Sequence, residues 1–229
     1  ELRHKWAPAV AGYDIAGKSI PAQSVGGDYF DFIQIDEHRL AFCLGDVSGK
    51  GLPASLLMSN VQATLRSHAL MGLTAQECTS RSNRLLFQST SAEKFVTLFY
   101  GILDLRDHTL LYANAGHEHP IIVSAKRAVL RLSTGGIMLG MLEEFPFQND
   151  TVALNPGDIM VVFSDGVTEA MNADQAQFGD ERLQEVIMSH EDESASVLIE
   201  SIVDAIRSHA GATPQMDDIT LMVVKRNRG

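Results

Sequence analysis

The chain has too little cysteine for a disulfide framework. Its only thiols, Cys43 and Cys78, are isolated from each other and from any paired His or Cys that would suggest zinc. A reducing compartment, the cytoplasm, is the expected setting. No run approaches the ~20 apolar residues that span a bilayer, and the opening ELRHKWAPAV lacks the apolar stretch of a signal peptide. Basic charge is also scarce: 18 Lys and Arg against 29 Asp and Glu leave a formal charge of -11. Such a balance repels phosphate backbones and anionic headgroups, so neither nucleic acid nor a membrane is an expected partner of this segment. Repeats, low-complexity tracts and Pro/Gly/Ser linkers are absent too, and a single domain over 1–229 is expected.

What is present is enough apolar residue, 45% of 229, for one sizeable core. Three early segments read as strands: Val10 to Ala16, Asp28 to Ile35, and Arg39 to Val47, whose LAFCL is apolar on both faces. Pro53 suits the first turn of a long helix in which Leu57, Val61 and Leu65 share one face. Thr74 reads as the N-cap of a second helix carrying Cys78, Leu85 and Leu86 inward. FVTLFYGILDL with TLLYANAG, PIIVS with AVLRL, and TVAL with DIMVVFS read as three successive hairpins. Helical patterns near Glu181 to His190 and Ser196 to His209 precede a last strand, ITLMVVK. Strands in blocks and helices in pairs predict an α+β fold: two packed, mainly antiparallel sheets with helices outside.

The chemistry is expected where aspartates end strands. Asp28 opens DYFDF, Asp46 ends LAFCLGD, Asp165 ends DIMVVFSD, and Asp217 and Asp218 precede the last strand. Three of them adjoin Gly27, Gly45 or Gly166, where backbone can approach a ligand closely. Carboxylates that converge repel one another unless cations intervene, and all-oxygen donors favour Mg²⁺ or Mn²⁺ over Zn²⁺. Two such ions lower the pKa of a shared water and hold a phosphoryl group for in-line attack. Single Asp-Gly pairs at strand ends are ordinary turn chemistry, and only the ordered set carries the reading. GDVSGKG fails as a phosphate-binding P-loop, being one residue short and having Gly51 where Ser or Thr would follow the Lys. Lys50 is then a surface or substrate-steering charge.

Seven segments, IPAQSVGGDYFDF, GDVSGKGLPASLLM, FVTLFYGILD, YANAGHEHP, GGIMLG, LNPGDIMVVFSDGVTEAMN and DDITLMVV, lie within a stretch of about 13–225 that carries a family resemblance. Together they resemble the metal-dependent PPM serine/threonine phosphatases of the bacterial stage II sporulation E type. The resemblance implies the PPM α-β-β-α sandwich and two Mn²⁺ or Mg²⁺ ions held by Asp28, Asp46, Asp165, Asp217 and the backbone carbonyl of Val47. It makes Asp46 the bridging carboxylate, lets Asp28 act directly or through coordinated water, and ranks Asp217 above Asp218 as ligand. The attacking group is a hydroxide shared by the two ions, with no protein nucleophile. Ser48 stands where eukaryotic members have an acidic His, so the general acid is unassigned and metal-bound water is its default. Gly27 stands where many relatives have a second acid. His117 is a candidate for the missing acid, though more in keeping with a structural role, and Asn114 is expected to shape a loop.

The resemblance also implies a phosphorylated protein substrate, an anti-sigma-factor antagonist of the STAS fold, and a role as output domain of a longer chain with an upstream sensor or receiver. Homodimerisation and regulation through the helix pair Leu52 to Met71 and Thr74 to Ser89 are further implications. Three rival readings stand beside it: a catalytically silent module of the same fold that sequesters its partner, a hydrolase of small phosphoesters, and a Ca²⁺-binding structural domain. The full set of aspartates argues against the first. The third lacks the Asp-x-Asp-x-Asp-Gly loop it needs.

Overall fold

The computed structural model describes residues 8–49, 51–90 and 94–228; Lys50 lies outside them. Contacts gather these residues into two compact units. The first comprises Glu1–Gln23, Pro120–Arg131 and Asn155–Gly229, and the second Ser24–His119 and Leu132–Leu154, masked positions aside.

The first unit is built on a five-stranded antiparallel sheet. It contains β1 (Tyr13–Ile20), β6 (Ile121–Val123), β7 (Val129–Arg131), β10 (Ile159–Phe163) and β11 (Ile219–Arg226), in the order β1-β11-β10-β6-β7. β10 is apolar at every position and wholly buried, as a central strand must be. One sheet face packs on α4 (Gly179–Ser189) and α5 (Ala195–Ala210): Leu198, Ile202 and Ile206 meet Val161, Phe163, Leu221 and Val223. Each such side chain contributes roughly 1.5–3 kcal/mol on burial. The Ser194 hydroxyl caps α5, and the Asp14 carboxylate of β1 accepts from its first amide, Ala195, at 2.7 Å.

The second unit has a six-stranded sheet containing β2 (Asp28–Gln34), β3 (Arg39–Val47), β4 (Val96–Asp104) and β5 (Thr109–Ala115) as successive antiparallel neighbours. Two short strands, β8 (Gly135–Gly136) and β9 (Asp150–Ala153), pair with β5. Helices α1 (Leu52–Leu70) and α2 (Ala75–Ser89) cover the face bearing Cys43, Val47, Leu98 and Tyr100. The opposite face carries neighbouring rings from Phe32 through Phe42 and Phe99 to Tyr112. Thr74 caps α2 in a reciprocal capping box with Glu77, as its position predicts.

The expected α+β class and both antiparallel-rich sheets are present, with four corrections of detail. TVAL and DIMVVFS do not form a hairpin: β9, short and mostly exposed, pairs with β5, while β10 takes a buried place in the other sheet. The turn between them commits its polar groups elsewhere, with Gly157 N–H donating to the Arg226 carbonyl and Asp158 accepting from Asn155 and Ala125. The first strand starts at Tyr13 because Gly12, at φ 80°, turns the chain just before it. Leu85 and Leu56 are exposed, since helical spacing places Cys78 and Leu86 of α2, and Met58, Val61 and Leu65 of α1, on the buried faces. α3 (Asp165–Thr168), a single turn, has no apolar period to announce it.

Beside its apolar face, α1 is seated on the sheet by an ion pair. Asp31 is fully buried in β2, and Arg66 grips both its oxygens, with Nε at 2.6 Å and a terminal nitrogen at 2.8 Å. The Tyr29 hydroxyl, kept protonated by burial, donates to the same carboxylate. Removing Arg66 strands that charge, so Arg66→Ala should cost about 3 kcal/mol in urea unfolding, and adding Asp31→Asn should recover part of it.

His68 of α1 is also buried, with Nδ1 3.1 Å from the Ser82 hydroxyl of α2. Burial first, then the nearby Arg81 charge, lowers its pKa below the usual 6.5. The unfolded chain therefore takes up the proton first on acidification. Stability from this group is complete above about pH 6.5 and is lost as pH falls from there through the lowered folded-state pKa. Thermal melts between pH 7 and 5 should show a steeper decline for the native chain than for His68→Gln.

Candidate functional site

In the second unit the β2–β3 register sets Asp28 directly opposite Asp46, and the β3–β4 register sets Asp46 opposite Thr97. Cross-strand partners share a sheet face, with Cβ atoms about 4.5–5.5 Å apart, so two carboxylates stand side by side at the end of the sheet. Like charges in that position destabilise a sheet unless something positive lies between or beside them.

The space beside them is held open by Gly27. A Cβ built there would lie 3.2 Å from Asp46 Oδ1, 3.2 Å from the Val47 carbonyl oxygen and 3.4 Å from the Gly49 carbonyl oxygen. Three oxygens thus face one point that any side chain would fill. The first turn of α1 borders this cradle, where the Ser55 hydroxyl donates to the Gly26 carbonyl at 2.8 Å. Ser48 pairs with Phe95, the residue before β4: its hydroxyl accepts from Phe95 N–H at 3.0 Å and its amide donates to the Phe95 carbonyl at 2.9 Å. The Lys94 ammonium donates to the Ser48 carbonyl.

His117 and Asn114 close the same end of the sheet. Asn114 shapes its loop as expected, accepting from His117 N–H at 2.8 Å and donating to the carbonyls of Leu132 and Glu118. His117 is buried, with Nδ1 2.9 Å from the Thr97 hydroxyl. His119 is exposed.

In the first unit Asp165 follows β10 and opens α3, beside the 217–218 segment that leads into β11. Gly166 makes this approach possible, since a Cβ there would fall 2.1 Å from the Asp218 carbonyl oxygen. Ser164 clamps the two strand ends: its hydroxyl donates to the Asp218 carbonyl at 3.1 Å and accepts from Thr220 N–H at 3.0 Å. Asp218 is buried and accepts from Ala22 N–H at 2.8 Å, so it faces the protein rather than solvent. Asp217 is half-buried, and its carbonyl is held by the Gln215 amide.

The four aspartates thus come as two pairs, Asp28 with Asp46 and Asp165 with Asp217, one pair in each unit. Among the described residues no three His, Cys, Asp or Glu side chains form a group that could by itself hold a metal ion. Within the second unit the donors fit a hard divalent cation: opposed carboxylates and converging carbonyl oxygens around a space without a side chain. Sequence reasoning missed Thr97, Ser55 and Ser164. Thr97 is legible only once FVTLFYG is aligned against LAFCLGDV as an antiparallel partner.

Residues 36–227 fit the family described as stage II sporulation protein E (SpoIIE). Phosphoserine phosphatase RsbU of Bacillus subtilis is 31% identical over 220 residues, 96% of this chain and 65% of RsbU. The chain therefore spans just under two thirds of that relative's length. Among solved structures, the RsbU and RsbW domains of Rv1364c from Mycobacterium tuberculosis share 27% identity at a TM-score of 0.78, over 96% of this chain and 62% of that one. The SiaA-PP2C domain of Pseudomonas aeruginosa superposes at a TM-score of 0.82 with 21% identity, over 93% of this chain and 85% of that one. With a family fit over most of its length and the α+β architecture of these neighbours, the chain belongs to the stage II sporulation protein E family and has the PP2C, or PPM, phosphatase fold.

Proposed function

We propose that residues 1–229, with a core of about 13–225, act as a single PPM domain that removes phosphate from a serine or threonine of a phosphoprotein. The observation that carries this is the opposed Asp28–Asp46 pair beside the cradle left by Gly27. In this reading Asp28, Asp46, the Val47 carbonyl, Asp165 and Asp217 are the residues that would hold two Mn²⁺ or Mg²⁺ ions, with Asp218 and Ser48 as their sequence neighbours. RsbX, a relative in fold at 15% identity and a TM-score of 0.71, was crystallised in complex with magnesium. When bound, such ions supply neutralisation of phosphoryl charge and activation of water for in-line attack.

The protein's own part is placement. Asp28 and Asp46 are fixed by strand register, Val47 by its pairing with Val96, and Asp165 by the Ser164 clamp. In this reading the carboxylates act as ligands rather than nucleophiles, and water is the phosphoryl acceptor. Lys50, two residues after Ser48 in the sequence, is read as a surface or substrate-steering charge.

The substrate is a phosphorylated anti-sigma-factor antagonist of the STAS fold, in a cytoplasmic signalling chain whose upstream sensor or receiver acts through α1 and α2. Homodimerisation of that longer chain would supply a shift of the start of α1, next to Asp46 and Val47 in the sequence. RsbU, named a phosphoserine phosphatase, supports the reaction class.

Asp46→Asn should lower Mn²⁺-dependent turnover of a phosphoserine peptide by about 10²-fold or more. In EDTA its melting temperature should equal or exceed the native value, because one of two opposed charges is gone, a relief worth up to about 1 kcal/mol. Turnover that survives EDTA, or full activity in this variant, would sink the metal-dependent reading.

Gly27→Ala tests the cradle without removing a charge. The added methyl should abolish the rise in melting temperature that Mn²⁺ gives the native chain, while the EDTA melt moves little. An unchanged Mn²⁺ response would place the ion elsewhere.

A further inference from the structure

The β3–β4 register places Thr97 beside Asp46 on the same sheet face, so three polar side chains, Asp28, Asp46 and Thr97, form one row across three strands. Thr97 is half-buried between two fully buried neighbours, Val96 and Leu98. Its hydroxyl lies 2.9 Å from Nδ1 of His117.

His117 is itself held from behind. It is 5% exposed, its backbone N–H donates to Asn114 Oδ1, and Asn114 is tied by its amide to the carbonyls of Leu132 and Glu118. An imidazole this buried and this fixed cannot swing out to meet a protein substrate. It can, however, orient the hydroxyl it touches. If Nδ1 carries the hydrogen, it donates to Thr97 Oγ1, and the threonine keeps its own hydrogen to donate along the row past Asp46.

Ser48 stands outside this row: it follows the end of β3, and its hydroxyl and amide pair with Phe95, the residue before β4. Of the hydroxyls flanking Asp46, Thr97 is the one that shares its row.

We propose that Thr97 is a catalytic residue whose hydroxyl hydrogen-bonds the seryl oxygen of the substrate as it leaves phosphorus, and that His117 is the positioning residue that aims it. This rests on the phosphatase reading above and names the group that meets the leaving oxygen. In the step, the oxygen of water bonds to phosphorus and the bond from phosphorus to the seryl oxygen breaks. Its electron pair stays on the seryl oxygen, which ends with a proton given up by the water. Serine and inorganic phosphate are the products. The Thr97 hydroxyl keeps its proton throughout and lowers the energy of negative charge gathering on the departing oxygen.

Leaving-group dependence separates this from a structural role. An alkoxide leaving group needs the hydrogen bond, whereas p-nitrophenolate carries its charge unaided. With Mn²⁺ present, Thr97→Val should lower kcat on a phosphoserine peptide by about 10²-fold with little change in KM, and lower kcat on p-nitrophenyl phosphate by less than about 3-fold. Thr97→Ser should stay within about 3-fold of the native chain on both substrates. His117→Gln should show the same selective loss, and the double variant Thr97→Val with His117→Gln should be no slower than Thr97→Val alone, since one residue acts through the other.

Equal losses on the two substrates, no loss on either, or additive effects in the double variant would each overturn the assignment while leaving the phosphatase reading intact. Native chain inactive on both substrates would overturn that reading and this one together. Melting temperatures of all four variants in EDTA confirm that folded protein is being compared.

Discussion

Two carboxylates of like charge set opposite each other on adjacent strands make up the constraint around which the second unit is organised. Asp28 and Asp46 cannot move apart by local adjustment, because their positions belong to the register of β2 and β3, and that register is held by burial on both faces. On one face Cys43, Val47 and Tyr100 meet the helices; on the other the rings of Phe32, Phe42 and Phe99 adjoin. A slip of one residue would turn every apolar side chain to the wrong face. Hydrophobic burial over the length of the strands is what places the charges. In the proposed function, a bound cation would offset the cost of holding the charges together.

The first unit solves the same problem with different parts. Its aspartates are placed by a clamp at the strand ends, where Ser164 bonds both to the Asp218 carbonyl and to the Thr220 amide. Gly166 allows the backbone of α3 to press against Asp218 more closely than any other residue would permit. In both units a glycine beside an aspartate is needed for a close approach: to carbonyl and carboxylate oxygens at Gly27, and to backbone at Gly166. The Asp-Gly neighbours at these strand ends therefore mark two places of close backbone approach.

Legibility followed the range of the forces involved. β3 and β10 could be read because burial on both faces leaves a continuous apolar run, and α2 because Thr74 and Glu77 form its cap within one turn. The aspartates could be read because their spacing against glycine and apolar runs is local. What escaped depended on partners distant in sequence. β9 was assigned to β10, its chain neighbour, although its polar, exposed character suits an edge beside β5. Thr97 looks like any strand threonine until the register puts Asp46 next to it. The metal-ligand roles proposed for Val47 and Asp217 rest on the family resemblance, since no composition or period points to them.

The helix pair reaches the cradle by two routes within the second unit. One is direct: the chain runs from Val47 into α1, whose Ser55 holds the Gly26 carbonyl. The other passes through α2. Buried Asn83 accepts from Gly140 N–H at 2.9 Å and donates to the carbonyls of Leu142 and Glu143, Leu139 pairs with Val96, and Val96 pairs with Val47. Both routes are hydrogen-bonded, and α1 is seated by the Arg66–Asp31 ion pair rather than by apolar packing alone. Directional contacts of this kind have few arrangements of comparable energy, whereas apolar contact tolerates small sliding. A helix pair seated this way keeps its contacts or exchanges them as a set. That is the behaviour an upstream domain would need in order to act on Val47 and Gly27 from outside.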